Sequence, residues 1–328
     1  MSPAEEKALL EETRRFTAED RGRSLRETAV TFLALGAATA LAAFGPRWPL
    51  RALGTLLEAL LIVRAFVLYH DVLHGALHRG QRVLRALYHA YGVWVLNPPS
   101  VWRQTHNYHH THTAKIVGSH VGSFPMLTPA LYQRLTPAQR WLYGAARHPL
   151  NVLFGYVTIF LLGMCASSFL RAPRKNWDSG VALVAHFAGV GLTAWLFGWG
   201  VALSAYVVPL ALACAVGGYL FYAQHNVPGV YVAPREAWSY AGAALRSSSY
   251  LRSGPVFRWF SGNIGYHHVH HLNPGIPFYR LPEVMDALPA LQDPPVTSLS
   301  PRDVIACFRL KLWDPDAGRM VGFPSTQS

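Results

Sequence analysis

Residues 52–74 read ALGTLLEALLIVRAFVLYHDVLH: an apolar run from Ala52 to Tyr69, interrupted only by Glu58 and Arg64, that leads directly into His70-Asp-Val-Leu-His74. A helix needs about 20 mostly apolar residues to cross a hydrocarbon core of roughly 30 Å, so this run reads as a membrane crossing. Positions four apart share a helix face, which lets His70 and His74 grip one ion. An apolar crossing that ends in paired imidazoles places metal chemistry at a membrane surface.

Two further runs repeat the theme, His106-Asn-Tyr-His109-His110 and His267-His268-Val-His270-His271. Eleven of the sixteen histidines lie in or beside these three runs. The i+3 and i+4 spacings of His106 with His109 and His110, and of His267 with His270 and His271, set each trio on one arc. The resulting eight imidazoles are too many for one ion and suit two. Imidazole accepts Zn, Cu, Fe or Ni, so donor type leaves the metal open. His268, about 100° around a helix from its neighbours, is expected outside the ligand set.

Composition extends the membrane reading. Hydrophobic residues make up 51% of the 328 residues and charged ones 14%. Thr28 to Pro46 is uncharged, Leu150 to Leu170 is a further apolar run, and Ser179 to Pro234 contains no Lys, Arg, Asp or Glu, room for two spans turning near Phe197-Gly-Trp-Gly200. The first twenty-six residues are charged and have no apolar core, so no cleavable signal peptide is expected. Lys7, Arg14, Arg15, Arg21, Arg23 and Arg26 precede the first span, and further cations flank all three histidine runs, which predicts that these regions face the cytoplasm. An even number of crossings must then separate His110 from His267. The basic link Arg171-Ala-Pro-Arg174-Lys175 selects Leu150 to Leu170 as the stretch that does not cross. The expected fold is an all-helical membrane protein with four spans in two hairpins, one re-entrant or interfacial helix, and a cytoplasmic helical cap around a two-metal site. It forms a single domain, with a cytoplasmic segment 1–27, a membrane and histidine core 28–280 and a tail 281–328 over the cap.

With these runs in place the chain resembles the integral-membrane fatty acid desaturases. The resemblance lies in His70-Asp-Val-Leu-His74-Gly, in Trp102-Arg-Gln-Thr-His106-Asn-Tyr-His109-His110, and in Asn263-Ile-Gly-Tyr-His267-His-Val-His270-His271-Leu-Asn-Pro, in an order that spans residues 28–282. The three-residue gap in the first box resembles the acyl-lipid, omega-type branch. The resemblance implies two non-haem irons, O2 as co-substrate, and His225 in Phe221-Tyr-Ala-Gln-His225-Asn as a ninth ligand beside the eight box histidines. His78 extends the first box on the same helix face and His112 follows the second. Both are expected near the metals without binding them. Asp71, Asn107, Asn226 and Asn263 are candidates to hold the far ring N–H of a ligand, as metal-bound imidazoles require. Phe66, Leu73, Trp102 and Phe221 are candidate walls of an acyl tunnel between the hairpins. Arg64 lies near enough to the cytoplasmic end of its span to snorkel, and His186 is expected as a neutral, hydrogen-bonded group within a span.

The implied reaction introduces a C=C bond with O2 and two electrons. The chain has no nucleotide-binding glycine loop, no haem motif, and only Cys165, Cys214 and Cys307, so the electrons must come from a separate donor, ferredoxin or cytochrome b5-like. The net charge of +12 attracts an acidic donor and anionic lipid alike, and nothing points to nucleic acid. A hydroxylase, an acetylenase or a carotenoid-modifying oxygenase on the same scaffold is the alternative. A metal transporter fits less well, because transporter sites sit at the bilayer midplane. Twenty-five arginines against four lysines indicate a GC-rich genome, hence a bacterial plasma membrane.

Overall fold

The computed structural model of the chain describes residues 1–324; the last four residues of the 281–328 tail lie outside the described residues. Among the described residues, four helices are long and apolar enough to cross a membrane: Arg21–Phe44, Trp48–His74, Trp177–Phe197 and Trp199–Ala223. They form the two expected hairpins. In the first, helices α2 (Arg21–Phe44) and α3 (Trp48–His74) pack closely because Gly54 has no side chain: a Cβ there would lie 2.4 Å from the Ala42 backbone nitrogen. In the second, Gly198 at φ +84° makes the turn, a backbone region open chiefly to glycine.

The outer faces are apolar. Leu33, Val184, Phe187 and Trp195 are exposed, and in the third span burial is confined to Asp178, Ser179, Ala182 and His186. Large apolar side chains displayed along whole helices are the surface a lipid solvent requires. The region Leu150–Leu170 is divided into a short helix Pro149–Leu153 and a longer apolar helix Tyr156–Arg171, below span length, most of it wound with π-type hydrogen bonds. It packs beside the second hairpin, where Phe169 fills the space over Gly180 and Cys165 donates to the Leu96 carbonyl at 3.3 Å.

Polar groups in the spans are matched across the first hairpin. Thr39 donates to Glu58 at 2.8 Å. Arg64 does not snorkel to water. It is 2% exposed, pairs with Glu27, donates to Thr31 at 3.0 Å and lies 4.0 Å over the Trp259 ring. Removing a guanidinium from water is tolerable only with such partners. In the second hairpin His186 meets the Tyr156 hydroxyl at 2.6 Å.

The cap is built from the ends of these spans and the segments between them. Helix α1 (Pro3–Arg14) opens on a capping box of Ser2 and Glu5, and buries Leu9 beside Ala241, Val269 and Leu272. Helices α4 (Arg82–Trp94) and α5 (Pro99–His112) follow the first hairpin, and the start of α5 is tied to the third span by Ser100 N–H donating to Asp178 at 2.8 Å. The tail packs over the cap: Leu281, Val284, Leu288 and Leu291 join the core under the third histidine run, and strand Val296–Ser298 pairs in parallel with Tyr250–Arg252.

Candidate metal centre

Each histidine arrives on an element whose sequence explains its place. Helix α3 runs past the apolar segment through His70 to His74, and stops there because Gly75 turns left-handed at φ +71°. Helix α5 carries His106, His109 and His110, and residues 267–272 form one short helix with His267, His270 and His271. His225 stands just past the end of the fourth span. These nine side chains converge from four parts of the chain.

They converge as two groups. His70, His74, His106, His110 and His270 form one, and His109, His225, His267 and His271 the other; within each group one ring nitrogen per residue lies within 4.8 Å of all the others. The arcs read from the sequence are therefore divided. Consecutive helical residues point about 100° apart, so His110 faces the five-histidine group while His109 faces the four-histidine group. Likewise His270 leaves His267 and His271. The groups adjoin, with the His110 and His271 rings stacked at 4.2 Å.

The nitrogen contacts call for an ion. In the larger group the Nε2 atoms form a chain: His70 to His106 at 3.1 Å, His106 to His110 at 2.9 Å, His110 to His270 at 3.1 Å. In the smaller, Nε2 of His225 meets His109 and His267, each at 3.0 Å. A ring nitrogen carries either one N–H or one in-plane lone pair, so it can serve one such contact and not two. His106, His110 and His225 each have two. Imidazole nitrogens bind a divalent transition metal at roughly 2.0–2.1 Å, so two at right angles around one ion stand roughly 2.9–3.0 Å apart. The observed spacings match a shared ion, whereas protons cannot satisfy them all. Burial pushes His106, His109, His110, His267, His270 and His271 well below the ordinary histidine range, reinforced by their crowding, and burial brings His225 down to about 4. These rings are thus neutral donors at physiological pH, the form that binds metal.

The fatty acid desaturase family model matches residues 46–300, which holds all three runs. The chain belongs to this family. A protein named fatty acid desaturase from Bacillus subtilis (strain 168) is 29% identical over 273 residues, covering 82% of this chain and 76% of that one. The sn-1 acyl-lipid omega-3 desaturase (ferredoxin) of Nostoc sp. (strain 36) is 24% identical over 266 residues, 78% of this chain and 72% of its own. The sn-1 oleoyl-lipid 12-desaturase of Synechocystis sp. (strain ATCC 27184 / PCC 6803 / Kazusa) is 25% identical over 219 residues, 66% and 62%. As a desaturase, this chain is an oxidoreductase of fatty acyl chains and an integral membrane protein. Neither a hydroxylase nor a transporter reading is favoured.

Outside the nitrogen groups, the desaturase holds three of the clustered rings from behind. Asp71 accepts from His70 Nδ1 at 3.1 Å and from the Phe278 N–H at 2.7 Å. His225 Nδ1 lies 2.9 Å from the Ser247 carbonyl. Thr113 donates to the His109 carbonyl at 2.7 Å, which commits its proton, so its oxygen accepts from His271 Nδ1 at 3.2 Å. In each case the back nitrogen carries the proton and Nε2 is left as the donor. Sequence reading identified Asp71 and missed Ser247 and Thr113. Thr113 carries a local signal, lying four residues after His109, whereas Ser247 is brought in from far along the chain.

The other expected neighbours have different work. Asn226 accepts from Arg147 and donates to the Cys307 carbonyl at 2.6 Å, anchoring the tail, and Asn263 donates to the Phe278 carbonyl at 3.1 Å. His268 points away to the Leu291 carbonyl at 3.1 Å. His112 stacks on Tyr108 at 3.8 Å. His78 departs from its expected helix face, because the helix ends at Gly75 and His78 itself sits at φ +54°. Fully buried, it meets Thr28 at 2.8 Å instead.

Two of the aromatic candidates stand at the rings. Trp102 stacks on His106 at 4.0 Å, and Phe221 lies 5.1 Å from His109. Phe66 is one layer further, 6.5 Å from Trp102. A cavity walled by Phe124, Met126, Phe221 and Tyr222 reaches His109 and His225; Phe66, Leu73 and Trp102 are not among its lining residues.

Proposed function

We propose that each histidine group holds one iron ion, and that the enzyme uses O2 and two electrons to remove two hydrogens from neighbouring methylenes of a lipid-linked acyl chain. The nine ligands are those of the two groups. The single observation that carries this is the set of doubly engaged nitrogens on His106, His110 and His225, which ions satisfy and protons do not. Side chains offer no oxidant able to attack an unactivated C–H bond, and bound iron would supply one from O2. The balance is RCH2CH2R′ + O2 + 2 e− + 2 H+ → RCH=CHR′ + 2 H2O.

The chain's own residues hold, orient and keep dry. Asp71, Thr113 and the Ser247 carbonyl fix which nitrogen of His70, His271 and His225 faces inward. Phe221, with Phe124 and Met126 in the cavity that reaches His109 and His225, presents apolar surface to an acyl chain, and exclusion of water from the groups protects a reactive oxidant from side reactions. A ferredoxin, the donor in the name of the Nostoc relative, supplies the electrons. The basic flanks support a cytoplasmic active site, and the arginine bias a bacterial plasma membrane.

The test combines metal and product. Protein purified from an iron-replete host should carry about two iron atoms per chain, and host lipids should gain a double bond on expression. Folded protein with one bound metal or none overturns the two-ion reading. Labelling of single cysteines at position 174 or 261 from the periplasmic side overturns the topology.

A further inference from the structure

The two histidine groups differ in what lies behind them. Behind His70 are Asp71 and Phe278, at 1% and 2% exposure. Behind the four-histidine group the chain reaches its surface in a few atoms. The Thr113 oxygen that receives His271 belongs to a residue whose carbonyl accepts from the Trp238 indole N–H at 2.9 Å. Trp238 is half-buried, and the Lys115 ammonium sits 3.7 Å over its ring. The second route is shorter still: the Ser247 carbonyl that receives His225 follows Arg246, which is exposed and lies 4.1 Å over Tyr231. Tyr231, Ala114 and Ile116 pack in one small apolar cluster with Trp313, which joins the surroundings of Lys115 and Arg246 into one face. Arg235 is also exposed there, and Glu236 is the only carboxylate between residues 231 and 252.

We propose that this face, centred on Trp238 and bearing Lys115, Arg235 and Arg246, receives the electron carrier, a small acidic one-electron protein, and that electrons reach the metal centre through the four-histidine group. The proposal rests on the two-iron reading above. It names where the donor sits and which group it serves. Lys115, Arg235 and Arg246 outnumber Glu236 and Asp314, the carboxylate next to Trp313, which favours an acidic partner surface. A half-exposed indole at their centre, bonded through Thr113 to a ligand ring, offers a continuous path inward that the buried Asp71 side lacks. At each encounter the carrier is oxidised by one electron and the centre reduced by one, so two encounters supply one turnover.

The experiment measures reduction of the anaerobic, metal-loaded enzyme by a reduced acidic [2Fe–2S] ferredoxin in stopped flow, beside reduction by photoreduced lumiflavin, a small reductant that needs no docking face. Lys115→Glu and Arg246→Glu should each slow the ferredoxin reaction by about three- to tenfold and weaken its dependence on ionic strength. Trp238→Phe, which keeps a ring but loses the N–H to Thr113, should slow it by about threefold. Metal content and the lumiflavin rate should stay at wild-type values in all three. Arg82→Glu, an exposed cation on α4, is the control and should leave the ferredoxin rate unchanged. Unchanged ferredoxin rates in both charge reversals overturn the proposal, and so does an equal loss in Arg82→Glu, which would mark general attraction rather than a face. Wild-type protein reduced by lumiflavin but not by ferredoxin also overturns it. Wild-type protein without metal overturns the two-iron reading and this proposal with it.

Discussion

The five-histidine and four-histidine groups use the same ligand in different settings. The first is assembled on the end of a membrane span, with His70 and His74 on α3 and a buried carboxylate behind His70. The second takes none of its histidines from the first box. It draws His225 from the end of the fourth span, and its rings are backed by a threonine and a carbonyl, both neutral. A carboxylate raises the basicity of the ring it holds more than a neutral acceptor does. The larger group thus offers five nitrogens and a carboxylate-backed ring, the smaller four nitrogens with neutral backing.

The largest effects should come from the ligands themselves, and they can break this comparison. His225→Ala leaves three nitrogens, so iron should fall to about one per chain and activity to background. His270→Ala should match it in activity. His74→Ala leaves the contacting chain His70–His106–His110–His270 intact, since His74 Nε2 meets no other ring nitrogen, and its iron content should remain nearer two. If His74→Ala empties its group as completely as His225→Ala, that chain does not suffice to hold an ion. Metal analysis with lipid product assays measures each case.

The residues behind the rings come next and sharpen the contrast. Asp71→Ala should weaken metal retention in the five-histidine group by about 10- to 100-fold, and Thr113→Val in the four-histidine group by a similar factor. Thr113→Ser, which keeps the hydroxyl, should restore binding. Chelator titration followed by Mössbauer spectroscopy separates the two irons; loss of the same iron in Asp71→Ala and Thr113→Val would remove the distinction between the groups.

Smaller effects belong to histidines outside both groups. His268→Ala strands the Leu291 carbonyl in the core and should lower stability by about 1–3 kcal/mol in thermal unfolding, with metal content unchanged. His148→Ala, at an exposed position where the ring only caps a short helix, should keep most activity. A loss of iron in either variant would add a residue to the centre.

The spans were legible because a lipid interior accepts only long apolar helices with their backbone bonded internally. Their limits were less so. Helix α2 begins at Arg21, well before the uncharged run from Thr28, because Glu27 is paired with Arg64 across the hairpin and need not end the helix. That pairing spans 37 residues of chain and leaves no local trace. The same limit explains His78, whose place depended on a left-handed Gly75, and Ser247, which reaches His225 through tertiary folding alone.

What the sequence by itself determined was the inventory: four membrane crossings, three histidine runs of which the first ends a span, and enough imidazole for two ions. Those follow from spacing and composition, which act over a helix turn or a bilayer thickness. Only the tertiary structure decided the partition. Whether His109 joins His106 or His225, and whether His270 parts from His271, depends on how α5, the fourth span and the 267–272 helix cross. Neighbouring residues on a helix diverge by about 100°, so a single run can feed two sites, and the packing of the helices selects which nitrogen meets which.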